Sequence, residues 1–349
     1  MFRGIKMTDV IVYIGRFQPP TFAHLEIIKK AQSLAKKVIV IVGSAKKARS
    51  VCNPWTSRER IEMLRSAEEI DHKRLIIAPM PNSNYDFSWW LAEVEKIVKQ
   101  NTNLNDSIGV IGYKKDDTSY YLDYFPKWKF VEMPKLYNGL SAAQVRERLF
   151  ENNYVSHATY EIVKWLNNWV VNNDVIYSAL KEEYHCIKKY KDMWKSAPFA
   201  PVFVTTNAIV TCKENILLIQ RGNNPGKNLY AMPGGFLERT EFITDCAVRE
   251  LKEKTGIDVD INVLRKSLSF VKVFDDPFRD QMGRSIAHVH LFNLELSKFP
   301  NVKPSDAYDV RWMPLKNLDG LQDKFFDDHY QIIKNVLKFR WGELNESNC

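Results

Sequence analysis

The chain has 349 residues, 45% of them hydrophobic and 26% charged, with a formal net charge of +8. That length accommodates two domains with separate cores, and that composition excludes a disordered or fibrous chain. No apolar run approaches the ~18 residues of a membrane span and no secretory leader is visible, so a cytoplasmic location with no membrane partner is expected.

Five scattered cysteines with no C-x-x-C pair predict reduced thiols. The positive charge suits polyanionic ligands. Lysines and arginines are spread along the chain instead of forming one tract, which argues against nucleic acid. A homo-oligomer is left open.

In chain order, Val10 to Ile14 reads as a buried strand that runs into Gly15 and Arg16. Two prolines stiffen the turn, and Thr21 and His24 fall where a helix begins, extending to about Lys36. Such a strand, glycine turn and helix N-terminus is an anion site, because unpaired N–H groups and the helix dipole favour negative charge. Strands follow at 37–42, 75–79, 108–112 and 129–133, with helices at about 58–70 and 88–100. This alternation predicts an α/β domain with a doubly wound parallel sheet, whose ligands bind beyond the carboxyl ends of the strands. Gly15 and Arg16, Gly43 and Ser44, residues 82–90, Gly112 with Asp116, and Ser141 with Arg146 all lie just after those ends and are expected to face one crevice.

Residues from about 156 to 195 read as helices, and Pro198 to Pro201 mark a boundary, giving expected domains 1–195 and 196–349. Beyond it come extended segments, a Gly234-Gly235 turn and a helix. Glu250 and Glu253, three apart, share one helix face, and hard oxygen ligands of this kind suit Mg²⁺ or Mn²⁺ on a pyrophosphate. The bland alternative is a surface helix with Ile243, Ala247 and Leu251 as its buried stripe. His288 and His290 alternate along a strand, where packing is favoured over metal.

The segment Gly15-Arg-Phe-Gln-Pro-Pro-Thr21-x-x-His24 resembles the signature of nucleotidyltransferases, in the form carried by nicotinamide-mononucleotide (NMN) adenylyltransferases. Gly43-Ser-Ala with Asn53-Pro-Trp55-Thr-Ser-Arg58 resembles the family's second signature, and Ser141 to Arg146 its closing one, although Ala142 and Ala143 stand where the family commonly has a serine or glycine and then a threonine. Gly235-x5-Glu241-x7-Arg249-Glu250-Leu-x-Glu253-Lys254-Thr-Gly256 resembles the Nudix box, with Lys254 in place of its second glutamate. The order of the two resembles the bifunctional NMN adenylyltransferase/Nudix hydrolases, which implies an α+β Nudix domain at the C-terminus.

The resemblance implies adenylyl transfer from ATP to NMN, giving NAD and pyrophosphate, and metal-dependent cleavage of ADP-ribose, weakened or lost through Lys254. It assigns His24, Thr21 and Arg16 to transfer chemistry, and Ser141 and Arg146 to the triphosphate, which Mg²⁺ would shield. Gly15, Phe17, Gly43, Ser44, Asn53, Trp55, Arg58, Gly112 and Asp116 would line the nucleotide sites, with Trp89 or Trp90 stacking on nicotinamide or packing in the core. Glu250 and Glu253, helped by Glu241 and Gly234, would hold Mg²⁺ or Mn²⁺, and Arg279 and Arg284 would meet the phosphates of ADP-ribose. Two alternatives stay open: another acceptor (nicotinic acid mononucleotide, phosphopantetheine or flavin mononucleotide), and a Nudix module that binds ADP-ribose or NAD without cleaving it.

Overall fold

The computed structural model describes residues 8–113, 122–137, 141–155, 157–304 and 307–346, with side chains through residue 338. Asp116 lies outside the described residues. The chain divides into two compact units, Met1–Lys181 and Glu182–Cys349. Among the described residues no helix is long and apolar enough to cross a membrane.

The first unit is built on five parallel strands: β1 (Thr8–Gly15), β2 (Ala35–Val42), β3 (Leu75–Pro79), β4 (Ile108–Gly112) and β5 (Lys129–Glu132), in the order β3-β2-β1-β4-β5. The β-branched runs of β1 and β2 are buried on both faces, as strands covered by helices must be. One face packs Val10, Val12, Ile14, Ile39 and Ile41 against Val94, Ile97 and Val98 of α3 (Phe87–Gln100). Helices α1 (Phe22–Leu34) and α2 (Ser57–Ser66) complete the crossovers between β1 and β3. After β3 the chain returns to the other side of β1, so β1 and β4 flank the switch point where parallel sheets open a ligand crevice. Helices α4 (Ala142–Asn152), α5 (Tyr160–Asn172) and α6 (Asp174–Asp192) follow.

The second unit is a mixed sheet. Its strands are β6 (Val202–Cys212), β7 (Asn215–Gln220), β8 (Tyr230–Ala231), β9 (Gly234–Phe236), β10 (Leu268–Phe274), β11 (Arg284–Leu294) and β12 (Asp309–Pro314). The main path runs β10-β11-β6-β7-β12, with only β11 and β6 parallel, while β8 joins β7 and β9 joins β6. Helix α7 (Ile243–Thr255) buries Ala247, Val248 and Leu251 against Ala208, Val210 and Phe292. It ends at Gly256, whose φ of +52° is a left-handed cap that glycine adopts at least cost. Two further helices are α8 (Ile261–Lys266) and α9 (His329–Glu346).

Candidate active sites

In the first unit the turn after β1 is tied to the turn after β2. The Gly43 N–H donates to the Gly15 carbonyl at 2.9 Å. Phe17 and Ser44 both hold left-handed backbone, with φ of 52° and 53°, which costs a non-glycine residue free energy unless its surroundings fix it. Arg60 supplies that fixation. Fully buried, it donates to the carbonyls of Arg16 (2.5 Å), Gly43 (2.7 Å), Ser44 (3.1 Å) and Thr56 (3.2 Å). Burial, with help from the Arg16 charge, lowers its guanidinium pKa to about 10, so it stays protonated at neutral pH.

Thr21 is the N-cap of α1, and His24 occupies the third helical position. The Thr21 backbone N–H lies 3.0 Å from His24 Nδ1, and Thr21 Oγ1 lies 2.8 Å from it. A backbone N–H can only donate, so Nδ1 accepts and the neutral ring carries its proton on Nε2. Burial lowers the imidazole pKa to about 4. The ring also packs on Phe17, with centroids 5.0 Å apart. This turn therefore presents a neutral N–H donor at a helix N-terminus beside the exposed Arg16.

Other expected residues sit differently. Arg146 is buried, donating to the carbonyls of Val51 (3.0 Å) and Gln18 (2.5 Å), and so braces the Gln18 turn. Ser141 caps α4, its hydroxyl accepting the Gln144 N–H. Asn53 is buried with its Oδ1 unpartnered. Trp55 is 1% exposed, its indole edge-on to Trp169 and its backbone bonded to Gln18, so no ligand can stack on it. Arg58, on the solvent side of α2, has its side chain 89% exposed and pairs with Glu62. Trp89 is 40% exposed, while Trp90 stacks on Phe87. Gly112 closes β4 against Leu122, where a side chain would be crowded. Arg60 was absent from the expected set, although with Met63 and Leu64 it falls on the buried stripe of α2; that spacing was the available signal.

The second unit holds an acidic cluster around one guanidinium. Arg249 bonds Glu241 through Nε (3.0 Å) and Nη2 (2.7 Å), and its Nη1 reaches Glu250 Oε1 (3.0 Å) and Glu253 Oε2 (2.9 Å). Glu241 is held down to about 2, chiefly by its bond to Arg249. Glu250 is shifted the other way, its pKa raised by burial, and its Oε2 is buried with no partner. Strand β9 pairs with β6, Gly234 opposite Asn207 and Gly235 opposite Thr206. A Cβ on Gly235 would overlap the Glu250 carboxyl, and one on Gly234 would overlap the Thr206 carbonyl.

Of these residues, Asn207, Gly234, Gly235, Arg249 and Glu250 border a cavity of about 450 Å³ that also includes Lys254, Arg279 and His329. Among the described residues no group of three or more His, Cys, Asp or Glu forms a ready-made metal cage. The orphaned Glu250 oxygen and exposed Glu253 nevertheless fit a hard divalent ion of the kind that one or two carboxylates share with substrate phosphates.

Arg279 is committed elsewhere, forming a buried two-pronged bridge to Asp328 (3.0 and 3.1 Å) and a bond to Ser285 (2.9 Å). Arg284 donates to the Asp275 carbonyl. Both arginines therefore brace the loop of residues 275–284. His290 is buried and stacks on Phe292. His329 was not foreseen, because nothing in the local sequence ties position 329 to the Nudix-like segment.

A parallel-sheet nucleotidyltransferase domain is thus joined to a Nudix domain in one chain. Residues 12–203 match the model of the cytidylyltransferase-like family and residues 202–336 that of the NUDIX domain. The chain belongs to the family of bifunctional NMN adenylyltransferase/ADP-ribose pyrophosphatases. The crystal structure of such a protein from Francisella tularensis, complexed with AMP and a Mn ion, superposes with a TM-score of 0.90 at 34% identity, covering 95% of this chain and 99% of that one. Each half also has separate relatives. A nicotinamide/nicotinic acid mononucleotide adenylyltransferase of Acinetobacter baylyi is 32% identical over 50% of this chain and 93% of its own length. An ADP-ribose pyrophosphatase of Methanocaldococcus jannaschii is 31% identical over 45% and 85%.

Proposed function

We propose that the chain makes NAD from ATP and NMN in its first part, residues 1–195, and cleaves ADP-ribose in its second, residues 196–349, where Lys254 keeps the rate low. The observation that carries the first assignment is the Thr21–His24 pair, which holds a neutral imidazole with its proton on Nε2 at the helix N-terminus. In the transfer, an oxygen of the NMN phosphate bonds to the α-phosphorus of ATP as the bond to the bridging oxygen breaks and pyrophosphate leaves. No covalent enzyme intermediate is required, so positioning and charge stabilisation carry catalysis. The His24 Nε2–H donates to the phosphate oxygens as charge builds, with Arg16 and the helix N-terminus adding positive potential.

In the second part a bound Mg²⁺ or Mn²⁺ would supply Lewis-acid stabilisation of the diphosphate. Glu250 and Glu253 would hold it, and Arg249 sets the carboxylates in place. Lys254 brings a positive charge to the cavity wall where the Nudix box has a carboxylate, which opposes a second cation. That substitution favours the second reading, in which this part binds ADP-ribose without cleaving it.

The test is to compare NMN, nicotinic acid mononucleotide, phosphopantetheine and flavin mononucleotide as acceptors with ATP, and to assay ADP-ribose cleavage with Mg²⁺ and Mn²⁺ beside Lys254→Glu. NMN is expected to give the highest kcat/KM, and Lys254→Glu to raise cleavage at least several-fold. Preference for another acceptor would overturn the first assignment. Binding of ADP-ribose without turnover, in both the unaltered chain and Lys254→Glu, would replace hydrolysis with the binding reading.

A further inference from the structure

His329 opens α9 and lines the same cavity as Glu250 and Lys254. Its Nδ1 accepts the Met232 backbone N–H at 3.0 Å, which leaves the ring proton on Nε2. Among the described residues Nε2 has no hydrogen-bond partner. Burial pushes the ring down to about 3, so at any working pH this group is a neutral donor on a cavity wall.

Its position along the cavity follows from the chain. Met232 precedes Gly235, which backs Glu250, by three residues. At about 3.3 Å per extended residue, the two anchor points lie at most roughly 10 Å apart. With a diphosphate at Glu250 and Lys254, that is the reach of the sugar attached to it. We propose that His329 is a specificity residue whose Nε2–H donates to the terminal ribose of a nucleoside diphosphosugar.

The surroundings select a sugar over a phosphate or a base. Asp327, whose Oδ1 accepts from Gln281 Nε2 at 3.0 Å, shares this part of the wall, and an acceptor-only carboxylate suits a hydroxyl donor. Phe326 offers little stacking surface, because the Arg221 guanidinium lies 4.0 Å over its ring and His329 packs edge-on against it. The open aromatic ring is Phe236, 47% exposed and directly after Gly235, away from Met232 along the chain. The base end of the ligand is therefore expected at Phe236 and the sugar end at His329.

This inference rests on the Nudix half of the proposed function, and calorimetry separates the two. ADP-ribose and ADP, which lacks the terminal ribose, are titrated into the full chain with Ca²⁺ in place of Mg²⁺ or Mn²⁺, a hard cation that carboxylates can share with a diphosphate, and chromatography of each mixture checks that no AMP is released. In His329→Asn the amide oxygen can still accept the Met232 N–H while the Nε2 donor is lost. It is expected to weaken ADP-ribose about tenfold, the worth of one hydrogen bond, and to leave ADP within twofold. His329→Gln, which restores a donor near the Nε2 position, should bind ADP-ribose within about threefold of the unaltered chain. Unchanged ADP-ribose binding by His329→Asn, or equal losses for ADP and ADP-ribose, would overturn the inference. Should His329→Asn not fold, a tenfold loss in His329→Gln overturns it instead. If the unaltered chain binds ADP but not ADP-ribose, the Nudix assignment itself fails.

Discussion

At the scale of single residues, His24 and Arg60 show how a buried polar group is kept in a useful state. Histidine ordinarily titrates near 6.5, and burial lowers His24 to about 4 and His329 to about 3. Between 6.5 and those values the unfolded chain binds protons that the folded chain does not. Their contribution to stability is therefore full above pH 6.5 and is lost as pH falls toward 4. Glu241, depressed from 4.5 to about 2, loses its contribution only at lower pH. The urea midpoint is thus expected to fall from pH 7 to pH 5, and less steeply in His24→Asn, where an amide takes the place of the titrating ring. Parallel slopes in the two proteins would show that His24 is not held neutral by the fold. The Thr21–His24 spacing was readable because both residues sit inside one motif. Arg60 was hidden, since an arginine beside Arg58 and Glu59 looks solvated until the carbonyls of Arg16, Gly43 and Ser44 converge on it.

At the scale of elements, the buried strands announced themselves through unbroken β-branched runs. β3 and β4 have the bounds expected from sequence, whereas α2 stops at Ser66, short of the expected Ile70. The short α8, carrying one buried residue, Leu264, left no periodic signal to read. Tryptophan was the least readable type, because the same indole serves a core or a ligand platform and only packing separates Trp55 from Trp89. The turn between β9 and α7 makes a sharper test of the metal site than the helix alone. Gly235 presses on the Glu250 carboxyl, so the methyl of Gly235→Ala must push that side chain away from Arg249 and from the place a cation would occupy. Mn²⁺ titration monitored by electron paramagnetic resonance should show at least a tenfold weaker site in Gly235→Ala. Unchanged affinity would remove Glu250 from the ligand set.

At the scale of the whole molecule, each constellation is drawn from one unit: Arg16, Thr21, His24 and Arg60 from the first, Glu241, Arg249, Glu250, Glu253 and His329 from the second. Substitutions that share no partner act additively, while members of one network do not. His24→Asn is therefore expected to cut NAD synthesis by at least a hundredfold and to leave ADP-ribose cleavage within twofold. Glu250→Gln should do the reverse, because its lost charge weakens the metal site without touching the Thr21–His24 pair. In the double variant each rate should equal that of the matching single variant. Both activities are followed in the same preparation, NAD by its reduction with a dehydrogenase and AMP release by chromatography. If Glu250→Gln slowed synthesis as much as cleavage, the two halves would be one coupled machine, and the assignment of each activity to its own set of residues would have to be abandoned.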